Sequence, residues 1–281
     1  MSNVITEIIE NGTSHPVVVD YHFPAKGSKP VAVIVILHGL KGFKDWGQFP
    51  LLAQHLSRSG FGVVRVNFSM NGTSVEHPAE FVDLEAYGHN TYAHELADVK
   101  TVLENIWWKS TDLSLDPERV GLLGHSRGGG IALLSTVDER RIKAVATWAS
   151  VCEFESRMNP TDVEEWMKNG VHYQFNSRTT QNMPVYIDIR NDFLANAERY
   201  SIPDAVKKLD IPQLIVHGKN DETVSHKEAE RLHSWNMFSK LHLIEEANHT
   251  FGGRHPWNVP ALPKDTIDAL QVTINFFREN L

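Results

Sequence analysis

An α/β fold, a mostly parallel central sheet of about eight strands with helices on both faces, is what this 281-residue sequence predicts. Short runs of β-branched apolar residues recur along the chain, and segments of helical spacing alternate with them. The clearest run, VAVIVIL at 31–37, is apolar at every position rather than at every second one, as in a strand buried on both faces. Strand–helix alternation of this kind implies a parallel sheet wound by right-handed crossovers. At 41% hydrophobic residues the chain can bury a sizeable core, and residues 1–281 read as one domain.

Residues 4–9 and 17–23 read as strands joined at the Asn11-Gly12 turn signal, and 31–37 follows as the buried strand. Helical spacing over 49–59 ends at Gly60; 61–68 is the next strand, and 92–108 a helix with Leu96, Val99, Leu103 and Ile106 on one side. The unit then repeats, with strands at 120–123, 142–149, 213–216 and 241–244 and helices at 128–135, 204–209, 227–235 and 265–279. Between Cys152 and Ser201 about fifty residues break the rhythm. Residues 171–175 and 184–189 alternate there like a hairpin, and a stretch so long inside a compact domain is usually functional. The expectation is an inserted cap, 152–201, over the carboxyl ends of the strands.

The net charge of −8, with no Lys/Arg run, argues against nucleic acid or an anionic membrane as partner. The single cysteine, Cys152, permits no internal disulfide and fits a reducing compartment, so a cytoplasmic location is expected. The opening MSNVITEIIENG has no basic segment leading into an apolar run and reads as no signal peptide. No apolar run is long enough to span a bilayer.

Chemistry enters at VGLLGHSRGGG, residues 120–130. Gly124-His125-Ser126-Arg127-Gly128 fits G-x-S-x-G between a strand and a helix. A nucleophile on so tight a turn sits on strained backbone, and side chains two residues to either side would clash with neighbouring chain. A serine hydroxyl also needs an oriented base. Asp221 follows the strand in PQLIVHGKND, and His249 follows the strand in KLHLIEEANH, so both loops leave the same end of the sheet as Ser126. Glu153, after the preceding strand, is the rival acid, and Glu222 a weaker one. The N–H groups of Arg127 and of Leu40, in the HGLKG loop, are the candidate oxyanion donors. His38 reads as a core histidine bonded to backbone.

LHGLKG, GLLGHSRGG, HGKNDETV and EEANHTF, in that order, resemble the α/β-hydrolase superfamily. Within it the chain resembles the dienelactone-hydrolase-like and cinnamoyl (feruloyl) esterase-like serine hydrolases, and more distantly the catalytic domain of acylaminoacyl peptidases. Dienelactone hydrolases proper use a cysteine nucleophile, whereas here the elbow carries Ser126, which favours ester cleavage over their lactone opening. The resemblance implies a carboxylic ester hydrolase without metal or cofactor, acting on a small-molecule ester, its acyl group small and in one option aromatic, through an acyl-enzyme. A peptidase, thioesterase or acyltransferase with the same triad is the alternative, and a non-catalytic ligand receptor a further one. Oligopeptidase-type enzymes carry a large gating domain for which this length leaves no room.

Phe43, Trp46, Trp166 and Tyr173 are candidate substrate contacts, and Lys41, Lys44, Arg157, Arg178 and Arg190 candidates for an acidic substrate group, each with a solvated surface as the plainer reading. Glu95 and Asp98 read as surface charges or salt-bridge partners, Trp107-Trp108 as packing, Cys152 as a small buried side chain. No zinc spacing, phosphate loop or dinucleotide fingerprint occurs.

Overall fold

The computed structural model describes residues 4–24, 29–159 and 161–281; Pro160, inside the 152–201 segment, lies outside them. β1 (Val4–Ile9) and β2 (Val17–His22) form an antiparallel pair. β3 (Val31–Leu37) leads into α1 (Phe49–Arg58), then β4 (Gly62–Asn67), the short α2 (Leu84–Gly88) and the long α3 (Tyr92–Leu113). β5 (Leu115–His125), α4 (Arg127–Asp138) and β6 (Ile142–Trp148) carry the next crossover. Among the described residues the intervening segment holds a 3-10 turn at Glu155–Met158, α5 (Val163–Asn169), the hairpin β7 (Val171–Asn176) and β8 (Gln181–Tyr186), and α6 (Asp188–Ala195). α7 (Ile202–Lys207), β9 (Gln213–Gly218), α8 (His226–Trp235), β10 (Lys240–Ile244) and α9 (Lys264–Asn280) close the fold.

Eight strands form one sheet among the described residues, in the order β1-β2-β4-β3-β5-β6-β9-β10, parallel from β4 to β10 and antiparallel where β2 meets β1 and β4. The period-2 geometry of a strand is visible in β3: Val33, Val35 and Leu37 enter the core on one face, Ala32, Ile34 and Ile36 the core on the other. α3 begins at Thr91, whose hydroxyl accepts from the His94 N–H while the His94 ring accepts from the Thr91 N–H. α9 lays Ala269, Leu270, Ile274 and Phe277 onto the second core.

Several expectations are corrected. β5 starts at Leu115, not 120: Leu115 and Asp116 pair with Val31 and Ala32, and the ladder then jumps to Val120 opposite Val33, leaving Pro117, Glu118 and Arg119 out of register. The second hairpin strand is Gln181–Tyr186, because Ile189 and Phe193, four apart and both buried, set a helical period after it. α3 runs on to Leu113, and Trp108 near its end is 80% exposed, so it does not pack. Glu95 and Asp98 are buried rather than at the surface, and Glu95 is a salt-bridge partner, of Arg127.

Candidate active site

The elbow closes as the motif requires. Ser126 stands between β5 and α4 at φ 56° and ψ −120°, a left-handed conformation for a residue with a side chain. A Cβ on Gly128 would lie 2.4 Å from the His38 carbonyl oxygen, so only glycine lets α4 start against β3. The turn is tied to β6, since the Ser126 N–H donates to the Trp148 carbonyl at 2.9 Å.

Two further loops converge on it. A Cβ on Gly218 would lie 2.1 Å from the Ala247 carbonyl oxygen, so the Asp221 and His249 loops lie backbone to backbone there. The Asn220 N–H donates to that same carbonyl at 3.0 Å. The Ser126 hydroxyl lies 3.1 Å from His249 Nε2, and His249 Nδ1 lies 2.8 Å from Asp221 Oδ2. Asp221 Oδ1 accepts from the Thr223 and Val224 N–H groups, both at 2.8 Å. Burial by itself raises the Asp221 carboxyl; the hydrogen bonds from His217 and His249, with the Val224 N–H, outweigh it and hold the carboxyl far below the usual carboxylate range.

Sequence reasoning missed three supports of this array. His217, fully buried, donates from Nε2 to the Val224 carbonyl at 2.9 Å and stands 3.2 Å from Asp221 Oδ2. Its signal was a histidine at the strand end four residues before the acid. His125 donates from Nε2 to the His249 carbonyl at 2.9 Å; burial pushes its pKa down to about 3, so it holds that loop as a neutral ring. The buried Arg127 side chain pairs with Glu95 at 3.1 Å and lies over the Tyr92 ring at 4.8 Å.

At the other wall, the Gly42 N–H donates to the Gly39 carbonyl at 3.0 Å, closing a turn with Lys41 at φ 57° and Leu40 within it. The buried His38 ring bonds the Gly39 carbonyl through Nδ1 at 2.9 Å, and burial pushes its pKa down to about 4. Glu153 instead accepts from the Ser156 N–H and hydroxyl, at 2.9 and 2.6 Å, and Glu222 is exposed.

The triad opens into a cavity of about 550 Å³. Tyr92, Phe154, Met158 and Trp166, all buried, form its inner wall, and Trp46, also buried, lines it too; Leu40 and Arg178 are exposed and stand on the solvent side. Of the candidate substrate contacts, Trp166 and Trp46 line this cavity. Phe43 does not: it packs edge-on against Phe81 and His255 and faces a second cavity of about 450 Å³. Tyr173 is 62% exposed, because the alternation of β7 sends His172 and Gln174 into the cavity and Tyr173 and Phe175 out. The basic candidates also divide. Lys44 is buried between Asp20 and Asp45, each at 2.6 Å, and Arg190 donates to the Met158 carbonyl at 3.1 Å. Lys41, Arg157 and Arg178 line the cavity.

The model of the BD-FAE family matches residues 19–236. The chain belongs to that family. The match ends before His249, which the fold itself carries to Ser126. No curated protein matches this BD-FAE chain. Its fold is that of solved α/β-hydrolases. Est1E from Butyrivibrio proteoclasticus superposes at a TM-score of 0.68 with 16% identity, over 98% of this chain and 96% of that one. DcsB, in complex with its substrate analogue, gives 0.73 with 15% identity over 99% and 100%. A puromycin-hydrolyzing peptidase of Mycobacterium tuberculosis gives 0.70 with 18% identity over all of this chain, which spans 39% of the peptidase. Among the described residues no helix is long and apolar enough to cross a membrane.

Proposed function

We propose that the chain is a serine esterase cleaving carboxylic esters of small acyl groups through an acyl-enzyme. The observation that carries this reading is the hydrogen-bonded series Ser126–His249–Asp221, with spacings of 3.1 and 2.8 Å, at the floor of a cavity with an apolar inner wall. His249 Nε2 takes the Ser126 proton as Oγ attacks the acyl carbon, and Asp221 stabilises the imidazolium. The oxyanion is received by the Leu40 and Arg127 N–H groups; losing one such donor costs about 10²–10³ in turnover. His249 then gives the proton to the leaving alcohol, and water, activated by the same ring, releases the acid. Segment 152–201 acts as the cap, its Trp166 and Phe154 shaping the acyl end of the cavity.

Labelling with a fluorophosphonate, together with turnover of p-nitrophenyl acyl esters and methyl cinnamates, tests the reading. Wild type is expected to label and to cleave; Ser126→Ala is expected to do neither, with turnover lower by about 10⁶. Labelling of Ser126→Ala equal to wild type places the nucleophile elsewhere, and a folded wild type that neither labels nor cleaves makes the fold a receptor.

A further inference from the structure

Four cations line the triad cavity, and no Asp or Glu among the described residues lines it, although the chain as a whole carries a net charge of −8. Two of the four are neutralised. Arg127 is paired with Glu95 at 3.1 Å, and Arg157 with Glu228 at 2.9 Å and Glu153 at 3.4 Å. The other two meet no carboxylate among the described residues. Lys41 Nζ reaches only the Phe175 carbonyl, at 3.4 Å, and one Arg178 amine donates to the Lys41 carbonyl at 2.9 Å. The Arg178 guanidinium lies over the Trp46 ring at 5.2 Å, and its remaining donors meet no other side chain among the described residues.

These two unneutralised cations sit together, on the solvent side of the triad, in a protein whose other charges repel anions. Half-burial next to Arg178 also disfavours the charged form of Lys41, a cost that a bound anion would remove. Their place fixes which part of a substrate they meet. The inner end of the cavity is closed by buried aromatic rings, so the acyl group that stays on Ser126 belongs there. The alcohol must leave past the Leu40–Lys41 turn. Trp46 and Arg178 line both this cavity and the second one, so an alcohol running outward passes Arg178, which is bonded to the Lys41 backbone.

We propose that Lys41 and Arg178 form an anion subsite that selects esters whose alcohol portion carries a carboxylate. The inference rests on the serine-esterase reading and names its substrate class. In the bound ester the Arg178 guanidinium donates to the carboxylate and the Lys41 ammonium completes its neutralisation.

The test compares 4-carboxyphenyl butyrate with the neutral 4-carbamoylphenyl butyrate. Wild type is expected to favour the carboxylate by about tenfold in kcat/KM, the effect of one charge-assisted hydrogen bond. The preference is expected in KM and to narrow in high salt. In Lys41→Met and in Arg178→Gln the ratio of the two esters falls toward one. Equal kcat/KM for both esters in wild type, or an undiminished preference in both variants, overturns the subsite while leaving the serine esterase standing. If neither ester is cleaved, calorimetry with 4-hydroxybenzoate and 4-hydroxybenzamide decides independently of turnover. Binding of the acid alone, lost in Arg178→Gln, supports the subsite; binding of neither compound, or equal binding in both proteins, overturns it.

Discussion

The loops that carry Ser126, Asp221 and His249 and the segment that roofs them are built by different means. The loops are fixed by backbone. Gly128 and Gly218 press against carbonyls, and Asp221 is gripped by two N–H groups and two imidazoles. The roof is fixed by side chains. Phe154 stacks on Tyr92 at 4.0 Å, and the Trp166 indole donates to the Val185 carbonyl at 2.9 Å. The His89 ring stacks on Tyr186 at 4.0 Å and bonds to Asp188 of α6. The difference teaches a division of labour: backbone sets where Ser126, His249 and Asp221 stand, and side chains set what fits beside them.

That division can be broken or sharpened by measurement. After the loss of Ser126 itself, the largest effect is expected from Asp221→Asn, which folds but no longer holds the His249 tautomer. Its kcat falls by about 10⁴ in steady-state assays, and a near-normal rate would hand the acid's role to another residue. Trp166→Ala removes a fully buried indole and lowers stability by about 3–5 kcal/mol in denaturant titrations. Its KM should rise more than its kcat falls; the opposite split would place the roof in the chemistry. Gly128→Ala sets a methyl group against the His38 carbonyl and costs about 1–3 kcal/mol. Here kcat rather than KM should change, since the elbow moves and the cavity does not.

The smallest effect concerns pH. Burial acts to lower the His89 pKa, but the Asp188 and Glu85 hydrogen bonds outweigh it and raise it above the usual imidazole value. Because the folded value is the higher one, the contribution of the protonated ring is complete below the unfolded pKa, about 6.5, and is lost as pH rises through the folded value. The depressed Asp221 carboxyl works in the other direction: its contribution is complete above the unfolded carboxyl pKa, about 3.9, and is lost as pH falls from there through the folded value. Amide exchange over 181–195, corrected for intrinsic rate, should therefore quicken with alkalinity in wild type and stay level in His89→Gln. The same slope in both would remove His89 from the clip.

The triad positions were legible because the elbow, the order of the three residues and the strand before each are all written locally. The sheet was legible for the same reason, its central strands being buried on both faces. What failed lacked such a pattern. Residues 117–119 look like the end of a loop, and only the pairing of Leu115 and Asp116 with β3 shows that the strand has already begun. In β7 aromatic and polar residues alternate, and an apolar-inward reading puts Tyr173 inside. The cavity is lined there by His172 and Gln174, so the parity is reversed. Phe43 lies on a loop without a period, and no spacing could say which of two cavities it faces. His217 heads the HGKNDETV motif, but only the fold brings its ring to 3.2 Å from the acid, which the spacing alone does not show.

The Tyr92 ring has the Arg127 guanidinium over it and Phe154 stacked against it. The residue whose N–H is proposed as an oxyanion donor thus shares a support with the first turn of the roof. For anyone recutting this pocket, the molecule has a graftable part and a keystone. On the hairpin from Val171 to Tyr186 the outward rings of Tyr173 and Phe175 can be exchanged, since they touch solvent. Phe154 cannot be exchanged freely, because a new specificity introduced there would be felt as a new rate.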